Sequence, residues 1–239
     1  MKKNICIVSS ALPDICVARL SEDFEVVRLE RDTEIAIAVS HHPDMILSLI
    51  GDSAVFPAEY IKKNEQSVNY ICNSGALTAI ASHAKRGEKY PLDVSLNALI
   101  GDDFILTRVE STSSELVLEA TKLGRRIINT NQGYAGCSCI YTPRCVITSD
   151  KGIYAALSRE GINSIFVSND GIILDGYDVG FIGGCGGYFC DTLYFFGNID
   201  LLPDGEKIRN FARESGYTIV CISDGPLTDF GGMKFIVRK

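Results

Sequence analysis

The chain alternates short apolar runs with turn signals in a recurring order. "HPDMILSLIGDSAVFP" (42–57) and "YPLDVSLNALIGDDFILT" (90–107) each give a proline, an acid, an apolar run, a Gly-Asp pair and a second apolar run. Two apolar runs joined by such a pair predict a β-hairpin. The two copies of "LIGD", Leu49–Asp52 and Leu99–Asp102, lie 50 residues apart, a spacing that points to an internal repeat. Other letters repeat the cycle. Ile140–Tyr141, a "TPR" turn and "CVITS" (145–149) predict one more hairpin, and "GFIGG" with "TLYFFG" (180–184 and 192–197) another.

A helical pattern follows each hairpin, at 57–66, 111–124, 150–161 and 203–216. Ser111 and Asp150 are placed to cap, Pro203 suits a first turn, and Gly124, Gly161 and Gly216 stand where a left-handed C-terminal residue belongs. Leu116, Ala120 and Leu123 form one apolar stripe. Each helix leads to a short strand: "VNYIC", "RIINT", "INSIFVS" and "YTIVCIS". Four units of strand–strand–helix–strand result. The two chain ends supply a fifth. "NICIVS", a helical "ALPDICVARLSED" and "FEVVRL" stand at the start, and "DGPLTDFGGMKFIVRK" adds a loop and a strand at the end. Closing such units into a ring covers their apolar faces and removes exposed edges. The expected fold is a single-domain α/β propeller of five ββαβ modules, approximately 224–239 with 1–30, 42–73, 90–130, 131–168 and 177–222. A doubly wound sheet is the alternative, but simple βαβ alternation would not place a hairpin before every helix.

Composition narrows the function classes. The 239 residues carry a net charge of −7, which disfavours binding to a phosphate backbone. The longest apolar runs fall short of a membrane span, and the N-terminus reads as a first strand, so no nucleic acid and no membrane is expected as partner. Nine cysteines without a secretory signal fit free thiols in a cytoplasmic protein. No C-x-x-C pair is present, so neither a metal nor another cofactor is expected.

Five ββαβ units joined through the termini resemble the pentein, or guanidine-modifying-enzyme, superfamily. It includes arginine deiminases, amidinotransferases, dimethylarginine hydrolases and a non-catalytic ribosome anti-association factor. "DGPLTDFGGMKFIVRK" is similar to the segment that carries the nucleophilic cysteine in the dimethylarginine hydrolases, and "NQGYAGCSCIY" (131–141) to the segment that carries their histidine. The resemblance implies a cysteine near Thr228–Gly232 and a histidine near Tyr134–Gly136. Neither is there, and no histidine follows His83.

In such a ring the loops leading into the inner strands meet at one cleft. Those loops, 41–44, 90–93, 131–138, 181–187 and 224–229, offer Asp44, Asn131, Gln132, Tyr134, Cys185, Asp224 and Asp229 for substrate or ligand, with Asp93 and His41 nearby. Cys137 and His42 are the candidate catalytic pair, a thiol nucleophile with an imidazole acid/base. Plain structural roles compete: buried cysteine packs as a small hydrophobe, and His42-Pro43-Asp44 reads equally as a turn. The expected function is a small-molecule cleft for a guanidino or amino-acid-like ligand, without the usual guanidine-modifying residues. The alternatives are a Cys137-dependent hydrolase or amidinotransferase-like enzyme and a protein–protein interaction module.

Overall fold

Strands of two to five residues are too short to cover themselves, and the structure solves this by repetition. The computed structural model describes residues 2–239. The first module holds β1 (Ile5–Ser9), α1 (Asp14–Leu20) and β2 (Glu25–Leu29). The second opens with a single helical turn, α2 (Pro43–Ile46), and continues through β3 (Ser48–Ile50), β4 (Ser53–Pro57), α3 (Ala58–Lys63), α4 (Glu65–Gly75) and β5 (Thr78–Ser82). The third holds β6 (Leu99–Ile100), β7 (Phe104–Thr107), α5 (Ser114–Lys122) and β8 (Arg126–Asn129). The fourth holds β9 (Cys139–Thr142), β10 (Cys145–Thr148), α6 (Lys151–Arg159) and β11 (Ser164–Phe166). The fifth holds β12 (Gly186–Phe189), β13 (Thr192–Phe195), α7 (Gly205–Glu214) and β14 (Thr218–Cys221). The C-terminal β15 (Lys234–Ile236) returns to the first module.

Each module is a three-stranded sheet with one register logic. The inner strand pairs antiparallel with the middle strand, and a helical crossover brings the outer strand in parallel. In the first module β15 takes the inner place, pairing antiparallel with β1 through Ile5 opposite Ile236 and Ile7 opposite Lys234. The two ends of the chain therefore complete one sheet.

Five apolar cores lie between successive modules. Ile5, Ile7 and Ile236 meet Ala54 and Phe56, and Ile50 and Val55 meet Ile105 and Leu116. Leu99 and Leu106 meet Cys139 and Val146, and Ile140 and Ile147 meet Leu193 and Phe195. Cys6 and Val8 meet Phe196, which closes the ring. A module buries its two faces only between two neighbours, so the ring is one cooperative body.

Local details depart from the sequence expectations. "VNYIC" is not a strand. It lies inside α4, because Val68, Ile71, Cys72 and Gly75 recur at helical spacing and all four are buried. The outer strand of that module is "TAIAS", so the module runs to residue 82 rather than 73. "GFIGG" forms a 3₁₀ turn over Ile182–Cys185, and the inner strand starts at Gly186. Ser113, not Ser111, caps α5 by accepting from the Leu116 N–H. Leu123 stands exposed past its end. Asp150 does cap α6, accepting from the Ile153 N–H at 2.7 Å. Gly124, Gly161 and Gly216 have φ of +68°, +70° and +80°, the left-handed geometry expected after a helix.

Candidate functional site

The loops leading into the inner strands meet under a sixth, smaller apolar cluster of Ile35, Val39, Met45, Val94 and Cys137, with Tyr134 and Phe181 against it. Beside it lies a cavity of about 290 Å³. His42, Tyr134, Cys137 and Asp229 line it, together with Phe181 and a strap of chain, Leu174 to Val179, which contributes Tyr177 and Asp178. Backbone bonds hold the base of the strap: the Ile173 N–H donates to Leu227 O and the Asp229 N–H donates to Ile173 O.

Glycines seat the charged groups. A Cβ on Gly184 would collide with the Asp229 carboxylate, and Gly231, at φ +75°, backs directly onto His42. Asp229 is consequently buried, and it accepts from the Phe181 N–H at 2.9 Å and the Gly231 N–H at 3.0 Å. Burial, and then the nearby Asp44 charge, raise its pKa to about 7. His42 Nδ1 stands 3.7 Å from Asp229 Oδ1, and His42 Nε2 is buried with no hydrogen-bond partner among the described residues. Burial, with His41 alongside, pushes the imidazole down to about 3, so the ring is neutral.

Asp44 is not on the wall of this cavity; it lines a second chamber among the inner strands. Neither of its carboxylate oxygens has a well-formed hydrogen bond, although the Cys137 thiol and its own backbone approach it. Burial raises its pKa to about 6 against the pull of Lys234. Both carboxyls are raised mainly by burial, and the Asp44 charge adds to the rise at Asp229.

Cys137 is fully enclosed. Burial and then the Asp44 and Asp229 charges hold its thiol well above the ordinary value, opposite to the activation that a nucleophile needs. Asn97 clamps it. The Asn97 Nδ2 donates to Cys137 Sγ at 2.9 Å, and Asn97 Oδ1 accepts from the Cys137 N–H at 3.0 Å. Tyr134 donates to Asp93 Oδ2 at 2.5 Å and stacks with Phe181 at 6.0 Å between centroids. Burial is the main reason that its phenol is held neutral.

The other sequence candidates lie elsewhere. Asn131 and Gln132 line a separate outer groove with Asp150, to which the Gln132 amide donates at 3.1 Å. Cys185 is sealed in the core between the fourth and fifth modules, its thiol directed to Phe181 O at 3.2 Å. Asp224 is exposed on its loop. His41 faces away, within 2.9 Å of Ser9 Oγ. Among the described residues, no three His, Cys, Asp or Glu side chains assemble as a metal site, and no helix is long and apolar enough to cross a membrane.

Residues 7–234 match the model of a family of unknown function, DUF6873. The chain belongs to that family. No curated protein matches the DUF6873 chain in sequence. Solved structures do match its fold. DDAH from Pseudomonas aeruginosa, in complex with citrulline, superposes with a TM-score of 0.55 at 8% identity, over 92% of each chain. An amidinotransferase of Microseira wollei, from the saxitoxin biosynthetic pathway, gives 0.54 at 9%, over 100% of this chain and 95% of its own. A cyanobacterial arginine dihydrolase of the ornithine-ammonia cycle gives 0.55 at 9%, over 100% of this chain and 39% of its own. The DUF6873 chain thus has the pentein fold.

Asn97, Arg86 and the strap were missing from the sequence-derived candidates. Asn97 had a local signal, a lone amide in the apolar approach to β6, four residues past the loop considered. Arg86 had none. It donates to Asp32 Oδ2 and Ser95 Oγ at 3.0 Å each, and to Met45 O at 3.0 Å, tying three separate segments beneath the cavity.

Proposed function

We infer that the 290 Å³ cavity binds a small cationic molecule, guanidino or amino-acid-like, and that it acts by binding rather than by the usual guanidine-modifying reaction. One observation carries the reading. The cavity wall presents the carboxyls of Asp178 and Asp229 beside Tyr134, Tyr177 and Phe181, and no lysine or arginine. Carboxylates and aromatic faces without a competing cation favour a positively charged guest. The volume suits one amino-acid-sized molecule.

Relatives in fold support the ligand class. One is bound to citrulline and others are named for arginine or amidino-group chemistry. The chemistry itself points away from theirs. Where the pentein resemblance implies a cysteine and a histidine, this chain places Asp229 and Tyr134. The remaining thiol on the cavity, Cys137, is held protonated by its burial and then by its acidic neighbours.

Calorimetry at pH 8 with arginine, methylated arginines, agmatine and citrulline tests the reading. Saturable binding of the cations, weaker binding of neutral citrulline, loss in Asp229→Asn and no turnover support it. Tight binding of citrulline alone would refute the cationic guest. Turnover that vanishes in Cys137→Ser would refute the non-catalytic part.

A further inference from the structure

A second chamber lies among the inner strands, and the function above makes no use of it. It measures about 490 Å³, and the inner strands of all five modules wall it. Gly186 and Gly187 line one side, where a Cβ would meet Tyr194 O and Met233, so the inner strands pack closely there. Leu49, Ile100, Tyr141, Phe189 and Val237 supply an apolar and aromatic wall. The charged residues on its lining are Asp44 and Lys234.

Lys234 is the informative residue. It stands on β15, the strand that closes the ring, and it is half-buried. Among the described residues its ammonium has no carboxylate within ion-pair distance, whereas eleven other lysines and arginines do. Its field reaches Asp44 and pulls that carboxyl down against burial, so the ammonium acts on the interior of the ring. A half-buried lysine without a counter-ion, on the lining of a largely apolar chamber, is free to pair with an anion that enters it.

We propose that this chamber is a second ligand site, separate from the cation cavity, that takes a small monocarboxylate with a compact apolar body, aromatic or branched aliphatic. The carboxylate pairs with Lys234, and the body fills the wall between Ile100, Tyr141 and Val237. A dianion is disfavoured because Asp44 faces the same space. A neutral analogue loses the charge-assisted bond and leaves Lys234 unpaired.

The test uses the full chain with methyl-labelled NMR and calorimetry at pH 7.5. The probes are phenylacetate, 4-methylpentanoate and the neutral phenylacetamide. Saturable shifts at the Leu49, Ile100 and Val237 methyls, with Leu174 and Val179 of the other cavity unmoved, are expected. Phenylacetamide and Lys234→Met should each weaken binding at least ~10-fold, and Lys234→Arg should stay within ~3-fold of the parent. The Lys234 side chain is half-buried and makes no hydrogen bond or ion pair among the described residues, so Lys234→Met folds, and its methyl spectrum verifies this. Absence of shifts with both carboxylates, equal binding of acid and amide, an unchanged Lys234→Met, or shifts confined to Leu174 and Val179 would each overturn the proposal. Because the reporters are different methyls, failure here is distinguishable from failure of the cation site.

Discussion

Asn97 and Cys137 are joined twice, by an amide N–H to the sulfur at 2.9 Å and by the Cys137 backbone N–H to the amide oxygen at 3.0 Å. Both residues are buried, so the pair fixes the loop into β9 against the approach to β6. Asn97→Leu keeps the volume but leaves the Cys137 N–H without an acceptor. An unpaired buried donor costs roughly 1–3 kcal/mol. Urea unfolding at neutral pH should show a loss of that size with an unchanged slope.

Thiol reactivity follows from the same enclosure. Cys190 is exposed, whereas Cys137 and Cys185 are buried with thiols raised well above the ordinary value. Iodoacetamide on the native chain, mapped by mass spectrometry, should modify Cys190 first and leave Cys137 and Cys185 intact until the chain unfolds. Rapid native modification of Cys137 would contradict the geometry around it.

Arg86 and Asp32 form a buried ion pair at 2.9 Å, with both side chains under 5% exposed. Removing one partner leaves an uncompensated buried charge. Arg86→Met should therefore cost about 3–5 kcal/mol, and it should loosen the Met45 and Ser95 segments that the same guanidinium holds. Arg86→Met with Asp32→Leu should recover much of that loss, because the orphaned carboxylate goes too. Thermal unfolding of the single and double variants measures the difference.

The architecture was legible because it is built from repeated local signals. Hairpin pairs, caps and left-handed glycines are each set by a few neighbouring residues, and five such units allow little besides a ring. The errors came where local signals conflict. Val68, Tyr70 and Ile71 have strand-type side chains, yet burial at helical spacing decides for α4. The alanine-rich "TAIAS" gave little strand signal and gains its place by pairing with β4. The site was legible only in part. His42, Tyr134, Cys137 and Asp229 meet because ring closure brings their loops together. Asp178 reaches the cavity through a strap after β11, and Arg86 acts across 54 residues on Asp32. No local pattern encodes such contacts.

Acid–base behaviour gives a stability signature. Asp44 and Asp229 titrate near 6 and near 7 in the fold, well above a free carboxyl. In the folded chain they hold protons that the unfolded chain has released, so their contribution is complete below about pH 4 and is lost as pH rises through about 6 to 7. His42, pushed down to about 3, works in the opposite direction: the unfolded chain protonates near 6.5, which costs stability as pH falls below that value. Asp44→Asn removes one carboxyl contribution and leaves His42 unchanged. The variant should gain stability relative to the parent as pH rises from 4 to 8, by about 2 kcal/mol at pH 8. Paired unfolding curves at pH 4.5, 6 and 8 measure it, and a constant difference across the three would contradict the buried acid.

Ligand binding must run with the same protons. A cation in the 290 Å³ cavity favours ionised Asp229, whose own pKa lies near 7 without a ligand. Affinity for a guanidino compound should therefore rise about 10-fold from pH 6 to pH 8, with about one proton released per cation bound below pH 7. Asp229→Asn should abolish both the proton release and most of the affinity. Asp178→Asn, on the exposed strap, should weaken binding only a few-fold and keep the pH dependence. Calorimetry in buffers of different ionisation enthalpy reads proton release directly. Binding without proton release at pH 6.5 would mean that Asp229 does not face the guest.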